Sequence, residues 1–234
     1  MKPKRILLKI TGESLGNKNG DGIDPENVMK MAKKIKILHD AGIETAIVPG
    51  GGNLFRWKFV RDSGMARVPA DQMGMMATII NGLALQDALE RLGKYTRLMT
   101  TIEMPQIAEF YIVRRAKRHL EKGRIVIFAG GTGAPFFSTD SAASLKASEI
   151  EANLLAKAST IDGIYDKDPK KFSDAKFIEK ISYREALDKK LAVMDLTAFT
   201  ICEENKIPIM IFDANDEKSF QRLAKGENVG SIVF

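Results

Sequence analysis

The chain has 234 residues, 44% hydrophobic and 28% charged, with a formal net charge of +6, which is the composition of a soluble globular protein able to bury a real core. Its single cysteine, Cys202, excludes an intramolecular disulfide and a thiolate metal cluster, and is expected to be a small buried apolar residue. The longest uncharged stretch, 72–86, holds Asn81 and two glycines and is too short to span a bilayer. Met1-Lys2-Pro3-Lys4-Arg5 runs straight into a strand-like segment, so no secretory leader and a cytoplasmic setting are expected.

Short β-branched runs alternate with helical patterns along the chain. Ile6-Leu7-Leu8 reads as a first strand. Asp24-Pro25 reads as a helix N-cap with proline in the first turn, followed by Val28, Met31, Ile35 and Leu38 at helical spacing up to Gly42. A strand is predicted over 44–48 and a long helix from Asp71 to about Leu92. That helix carries Met73, Met75, Met76, Ile79, Ile80, Leu83, Leu85 and Leu89, apolar nearly all round, so a partner subunit is expected on the side away from the sheet. Further on, a strand is predicted over 97–100, a helix over 107–122 and a strand over 124–129. A helix near 141–150 follows, then strands near 153–158, 207–212 and 231–234. Such alternation predicts an α/β fold, a three-layer αβα sandwich around a mainly parallel sheet. No repeat or low-complexity linker appears, so one domain over 1–234 is expected.

Three glycine-rich turns follow apolar runs: Lys9-Ile10-Thr11-Gly12, Gly50-Gly51-Gly52-Asn53 and Gly130-Gly131-Thr132-Gly133. Glycine lets backbone N–H groups approach an anion closely, and a helix beginning beyond adds the positive end of its dipole. At the carboxyl edge of one sheet, three such turns suit two phosphate-bearing ligands held side by side. Lys9, ending the first strand, is placed to offset charge on a transferred group. Arg56 lies four residues past Gly52 and suits bidentate phosphate binding, or else is a surface arginine. The run from Thr132 through Ala134, Pro135, Phe136, Phe137, Ser138 and Thr139 to Asp140 offers two aromatics and several hydroxyls as a wall for a base and ribose. Asp140 is open to three roles: orienting Lys9, holding magnesium or capping a helix. Tyr165, between Asp162-Gly163 and Asp168-Pro169, suits either stacking on a purine or a plain surface turn.

The absences narrow the chemistry. No Walker loop, H-R-D or D-F-G sequence occurs, and no metal-ligand spacing. The basic cluster Arg114-Arg115-Ala116-Lys117-Arg118 has no interleaved aromatics and reads as a solvated helix face rather than a nucleic-acid site. With only His39 and His119 present, an acceptor that is already an anion fits best, because it needs no general base.

In order, these blocks resemble the bacterial uridylate (UMP) kinases of the amino acid kinase family. The most specific matches are Lys9-Ile10-Thr11-Gly12-Glu13, Gly50 through Arg56, Asp71 through Met75, Gly131 through Ala143, Asp162-Gly163-Ile164-Tyr165 with Asp168-Pro169, and Met194 through Phe199. The resemblance runs essentially the whole length. It implies transfer of the γ-phosphoryl of Mg-ATP to UMP, with Mg2+ arriving with ATP and no side chain singled out as its ligand. It also implies an acceptor-binding N-terminal part, an ATP-binding C-terminal part and a homohexamer. By family pattern Lys9, Arg56 and Asp140 are catalytic, Asp140 organising the centre. Lys9, Ile10, Thr11, Gly12, Gly52, Arg56, Ser159, Tyr165 and Asp168 match the ATP site. Gly51, Arg56, Asp71 and the span of Thr132, Gly133, Ala134, Pro135, Phe136, Phe137, Ser138 and Thr139 match the UMP site, with Asp71 on the ribose. The chain departs from the pattern at Trp57, where glycine is common and the phosphate entrance is expected to narrow. It departs also at Gln86 and Glu90, where GTP-activated members carry arginine and histidine, so GTP activation is not expected. A carboxylate or carbamate kinase and a catalytically idle nucleotide sensor are the competing functions. The Phe136-Phe137 wall argues against the first, and intact Lys9, Arg56 and Asp140 against the second.

Overall fold

The computed structural model describes residues 2–56, 64–167, 169, 171–189, 191 and 194–234. Asp168, expected in the ATP site, and Trp57 lie outside the described residues. The strands are β1 (Arg5–Ile10), β2 (Glu44–Pro49), β3 (Thr96–Thr100), β4 (Glu109–Phe110), β5 (Ile125–Ala129), β6 (Leu154–Ser159), β7 (Ile164–Tyr165), β8 (Phe177–Ile178), β9 (Lys180–Ile181), β10 (Ile209–Asp213) and β11 (Ser231–Val233). Nine of them form one sheet in the order β4-β3-β5-β2-β1-β6-β10-β11-β9, and β7 pairs with β8 in a separate ribbon. Within the large sheet only β10 and β11 pair antiparallel.

The described α-helices are α1 (Pro25–Asp40), α2 (Arg67–Arg91), α3 (Val113–Glu121), α4 (Thr139–Glu149), α5 (Tyr183–Asp188), α6 (Leu196–Glu204) and α7 (Glu217–Ala224). Two apolar clusters divide them. Val28, Ile35 and Leu38 of α1, Ile79 and Leu89 of α2 and Phe220 of α7 cover one face of the sheet. Ala116 of α3, Ala143 and Ala147 of α4, Ala186 of α5 and Phe199 of α6 cover the other. The expected three-layer αβα sandwich is therefore what forms. Strands buried on both faces explain why Ile6-Leu7-Leu8 within β1 and the whole of β5 read as unbroken apolar runs, with Lys9 the exception inside β1.

Element limits differ from the sequence reading where tertiary contacts override local pattern. The helix expected from Ile107 begins only at Val113, because Glu109–Phe110 pairs with the edge of β3 and Tyr111 N donates to Thr100 O at 2.9 Å. The long helix starts at Arg67, ahead of Asp71, with Pro69 tolerated in its first turn. The cap of α1 is as expected: Asp24 Oδ1 accepts from Glu26 N at 2.9 Å and Asn27 N at 3.4 Å.

One feature of topology positions everything else. From β1 the chain goes to β2 on one side, whereas β6 lies on the other, so strand order reverses at β1. In open α/β sheets ligands bind beyond the carboxyl ends of the strands at such a point. Alternation along β1 sends Ile6, Leu8 and Ile10 into the α1–α2–α7 layer and Leu7 into the α4 layer. Lys9 follows Leu7 by two residues and so faces α4.

Ile35, fully buried between α1 and the sheet, tests this packing. Ile35→Ala is expected to cost about 2–5 kcal/mol in urea denaturation, whereas Lys33→Ala on the exposed side of α1 stays within about 0.5 kcal/mol.

Candidate active site

Lys9 and Lys157 are register partners on the adjacent parallel strands β1 and β6, so both ammonium groups leave the same face of the sheet. Asp140, in the first turn of α4, lies between them: Lys9 Nζ is 2.8 Å from Oδ1, and Lys157 Nζ donates to Oδ2 at 2.7 Å. All three side chains are largely buried. Burial alone would raise the Asp140 pKa, but the Lys9 and Lys157 charges outweigh it and hold the carboxyl below its ordinary value. Burial pushes Lys157 below the usual lysine range, with Lys9 repelling it further and Asp140 only partly restoring it. Two cations thus share one carboxylate at the switch point, and the Asp195 carboxylate also acts on Lys157. Both Asp140 oxygens are engaged by lysines, which favours the role of orienting them over that of holding a metal.

The glycine turns sit around this centre. Gly50 N donates to Ile10 O at 2.8 Å, joining the ends of β2 and β1. A Cβ on Gly12 would lie 2.8 Å from Gly52 N and 3.0 Å from Gly50 O, so the first two turns pack backbone on backbone. Gly51 is just as tightly confined, by Ala77 and Gly74 of α2. Gly52 is different: among the described residues a Cβ there would meet nothing within 4 Å. Thr11 Oγ1 is buried and, among the described residues, has no hydrogen-bond partner. It is the kind of hydroxyl a phosphate oxygen would satisfy. Among the described residues no α-helix follows the first two turns directly: Gly12–Leu15 is a 3₁₀ turn, and residues 52–55 form a turn. The N-terminal dipole contribution therefore comes from α4, capped by Ser138, whose Oγ accepts from Asp140 N and Ser141 N at 3.0 Å each.

Beyond the second turn opens a cleft of about 510 Å3, within the ~300–1,000 Å3 usual for small-ligand sites. Gly51, Gly52, Asp71, Thr132, Ala134, Phe136, Phe137, Ser138 and Thr139 line it, together with Arg67, Met75, Thr78 and Asp195. Gly133 and Pro135 belong to the same loop without lining the cleft; Gly133 has a φ of 84° and packs on Thr101. Asp71 Oδ2 accepts from Phe136 N and from Arg67 Nε, both at 2.7 Å, and the Arg67 guanidinium lies over the Phe136 ring. Phe136 is thereby held at a φ of 72°, a backbone position that non-glycine residues seldom adopt. Asp195 accepts from Ser141 Oγ at 2.9 Å, from Ser138 Oγ and from Ala198 N at 2.8 Å, tying the cleft loop to the start of α6.

Of the three residues expected to be catalytic, the structure brings Lys9 and Asp140 into contact. Arg56 is elsewhere. Its guanidinium donates to Asn19 O and pairs with Asp21 Oδ1, both at 2.9 Å, over the 17–22 loop. Residues 52–55, which lead to Arg56 from the second glycine turn, form a turn. Ser159 closes β6 and accepts from Ala214 N at 2.7 Å. Tyr165 lies in the β7–β8 ribbon, edge-on to Phe177, with its hydroxyl donating to Asp162 Oδ1 at 2.9 Å. Lys157, Arg67, Thr78 and Asp195 were not singled out for roles from sequence. A lysine inside the apolar strand pattern of 153–158 was the readable signal for the first.

The family described as the amino acid kinase family matches residues 4–213. The chain belongs to the amino acid kinase family. Among solved structures it is similar to a UMP kinase from Bacillus anthracis, at 35% identity and a TM-score of 0.97, covering 100% of this chain and 96% of that one. A UMP kinase from Ureaplasma parvum matches at 36% identity and a TM-score of 0.93, covering 100% and 99%. A uridylate kinase from Archaeoglobus fulgidus matches at 26% identity and a TM-score of 0.75, over 100% of both chains. Among the described residues of this amino acid kinase family member, no helix is long and apolar enough to cross a membrane.

Because Asp140 titrates below its unfolded value, its stabilising contribution is complete above the unfolded pKa and is lost as pH falls through the folded one. Asp140→Asn is therefore expected to be clearly less stable than the wild type at neutral pH. The gap between the two urea midpoints should narrow as pH falls from about 5 down through the folded pKa, which lies below 3.8. A gap that stays constant over that range would mean that the carboxylate is not paired as described.

Proposed function

We propose that the protein transfers the γ-phosphoryl group of Mg-ATP to UMP, giving UDP and ADP. The carrying observation is the Lys9–Asp140–Lys157 centre at the switch point, with a nucleotide-sized cleft opening directly beside it. Full-length similarity to UMP kinases at 35% and 36% identity supports the same reading. A UMP phosphate oxygen attacks the γ-phosphorus while the bond to the β,γ-bridging oxygen breaks, and that electron pair leaves on ADP. The attacking oxygen is already an anion, so no proton has to be removed. Catalysis is then positioning and charge compensation. Lys9 and the amides around Gly12 and Gly52 act on the oxygens of the transferred group, and Thr11 Oγ1 supplies a further donor.

In this reading UMP occupies the cleft with its base against Phe136, Phe137 and the 132–139 loop. Asp71 uses Oδ2 to hold Phe136 N and Arg67, which leaves Oδ1 for a ribose hydroxyl. ATP lies toward Ser159, Tyr165 and Asp168, in the C-terminal part of one domain. Arg56 reaches the phosphates by leaving Asp21, an exposed pairing that costs little to break. Magnesium comes chelated to ATP and supplies charge neutralisation on the phosphates. A cytoplasmic setting suits a free thiol at Cys202, which burial pushes up to about 11. A homohexamer suits the stripe of Met73, Met76, Ile80 and Leu83 left exposed along α2.

ADP release from Mg-ATP across UMP, CMP, AMP, GMP and small carboxylates tests the reading, with turnover expected for UMP alone. Turnover with a carboxylate instead, or with no acceptor, overturns it. Lys9→Ala is expected to lower kcat by at least about 100-fold with a much smaller change in KM, since the charge it offsets is greatest in the transition state. Sedimentation velocity should find an assembly, and a purely monomeric protein would remove the hexamer.

A further inference from the structure

Two buried asparagines join three loop segments of the site: the first glycine turn, the second, and the loop at 17–22. Asn53 ends the second glycine turn, and Asn81 lies at the middle of α2, fully buried. Their amides pair reciprocally: Asn81 Nδ2 donates to Asn53 Oδ1 at 2.7 Å, and Asn53 Nδ2 donates to Asn81 Oδ1 at 3.0 Å. The remaining donor of each amide goes to backbone. Asn81 Nδ2 reaches Gly50 O, and Asn53 Nδ2 reaches Gly22 O, both at 2.7 Å. Every N–H of both amides is therefore used, and both carbonyl oxygens accept. A fully satisfied buried network of this kind rigidifies what it joins, whereas a half-satisfied one is costly.

What it joins is the point. Gly50 opens the second turn. Gly22 lies in the loop that holds Arg56 through Asn19 and Asp21, and Gly22 N also donates to Asn53 O at 2.9 Å. The first turn rests on the same pair: a Cβ on Gly12 would stand 2.5 Å from Asn53 Oδ1. The pair is neutral, so it fixes three anion-handling segments without placing a negative charge among them. Aspartate at either position would lose a donor and put an anion beside the phosphates.

We propose that the Asn53–Asn81 amide pair is the brace that sets donor and acceptor phosphates in line, making Asn81 a positioning residue for phosphoryl transfer although it touches neither nucleotide. The proposal rests on the phosphoryl-transfer reading above. Holding the reacting atoms at near-attack distance is where such a brace acts, and misplacement by about 1 Å costs up to about 100-fold in rate.

The test compares wild type, Asn81→Ala, Asn53→Ala, the double variant and Leu89→Ala, a core truncation at the far end of α2. Asn81→Ala should lower kcat by about 10- to 100-fold with each KM changed less than about threefold. The double variant should be no worse than the poorer single, because the two amides act as a unit. Leu89→Ala should lower Tm while keeping kcat. A kcat loss in Asn81→Ala no larger than in Leu89→Ala, or additive losses in the double variant, overturns the proposal. Hydrogen exchange gives a readout that needs no turnover. Asn81→Ala should raise exchange in both 11–24 and 50–55, and a rise confined to α2 overturns the brace. Should the wild type fail to use UMP, the function reading falls and the exchange result still decides this one.

Discussion

A single carboxylate shared by two lysines organises this molecule. Asp140 lies on a helix of one layer, and Lys9 and Lys157 come from the two central strands of the sheet. Two ammonium groups drawn toward one buried site repel each other and lose hydration, and the carboxylate between them offsets that cost. The lowered pKa values of Asp140 and Lys157 are two sides of that arrangement. The two lysines lie where strand order reverses, which is also where the glycine turns gather.

Around that centre, packing confines some of the glycines and leaves another open. Gly12, Gly50 and Gly51 are small because backbone or α2 presses against them. Gly52, among the described residues, has open space. The cleft wall works in a comparable way. Asp71 holds the strained Phe136 backbone and anchors Arg67 over its ring, so a carboxylate expected only to meet a ribose also shapes the loop across from it. Asp195 does likewise at the other rim, linking Ser138 and Ser141 to the start of α6.

The exposed stripe on α2 shows where the sheet's covering runs out. Ile79, Leu85 and Leu89 face the core, whereas Met73, Met76, Ile80 and Leu83 face outward at helical spacing. That division is hidden in a sequence that is apolar nearly all round. It is set by which side of the helix meets the strands.

What the sequence determined by itself is what local chemistry controls. Parallel strands buried on both faces need short apolar runs at their centres, so Ile6-Leu7-Leu8 of β1, Ala46-Ile47-Val48 of β2 and all of β5 were legible. Turns that pack backbone on backbone or take a positive φ need glycine, so all three could be read, and Asp24-Pro25 marked a helix start. The αβα layering and the cleft-lining span 132–139 followed from the same signals. Tertiary structure alone decided which side chains meet. Lys157 reaches Asp140 because β6 lies beside β1, a pairing between segments far apart in the chain. Arg56 pairs with Asp21, from the loop ahead of α1. Asn81 finds Asn53 across 28 residues of sequence. Contacts of that kind depend on topology and strand register, and no local spacing encodes them.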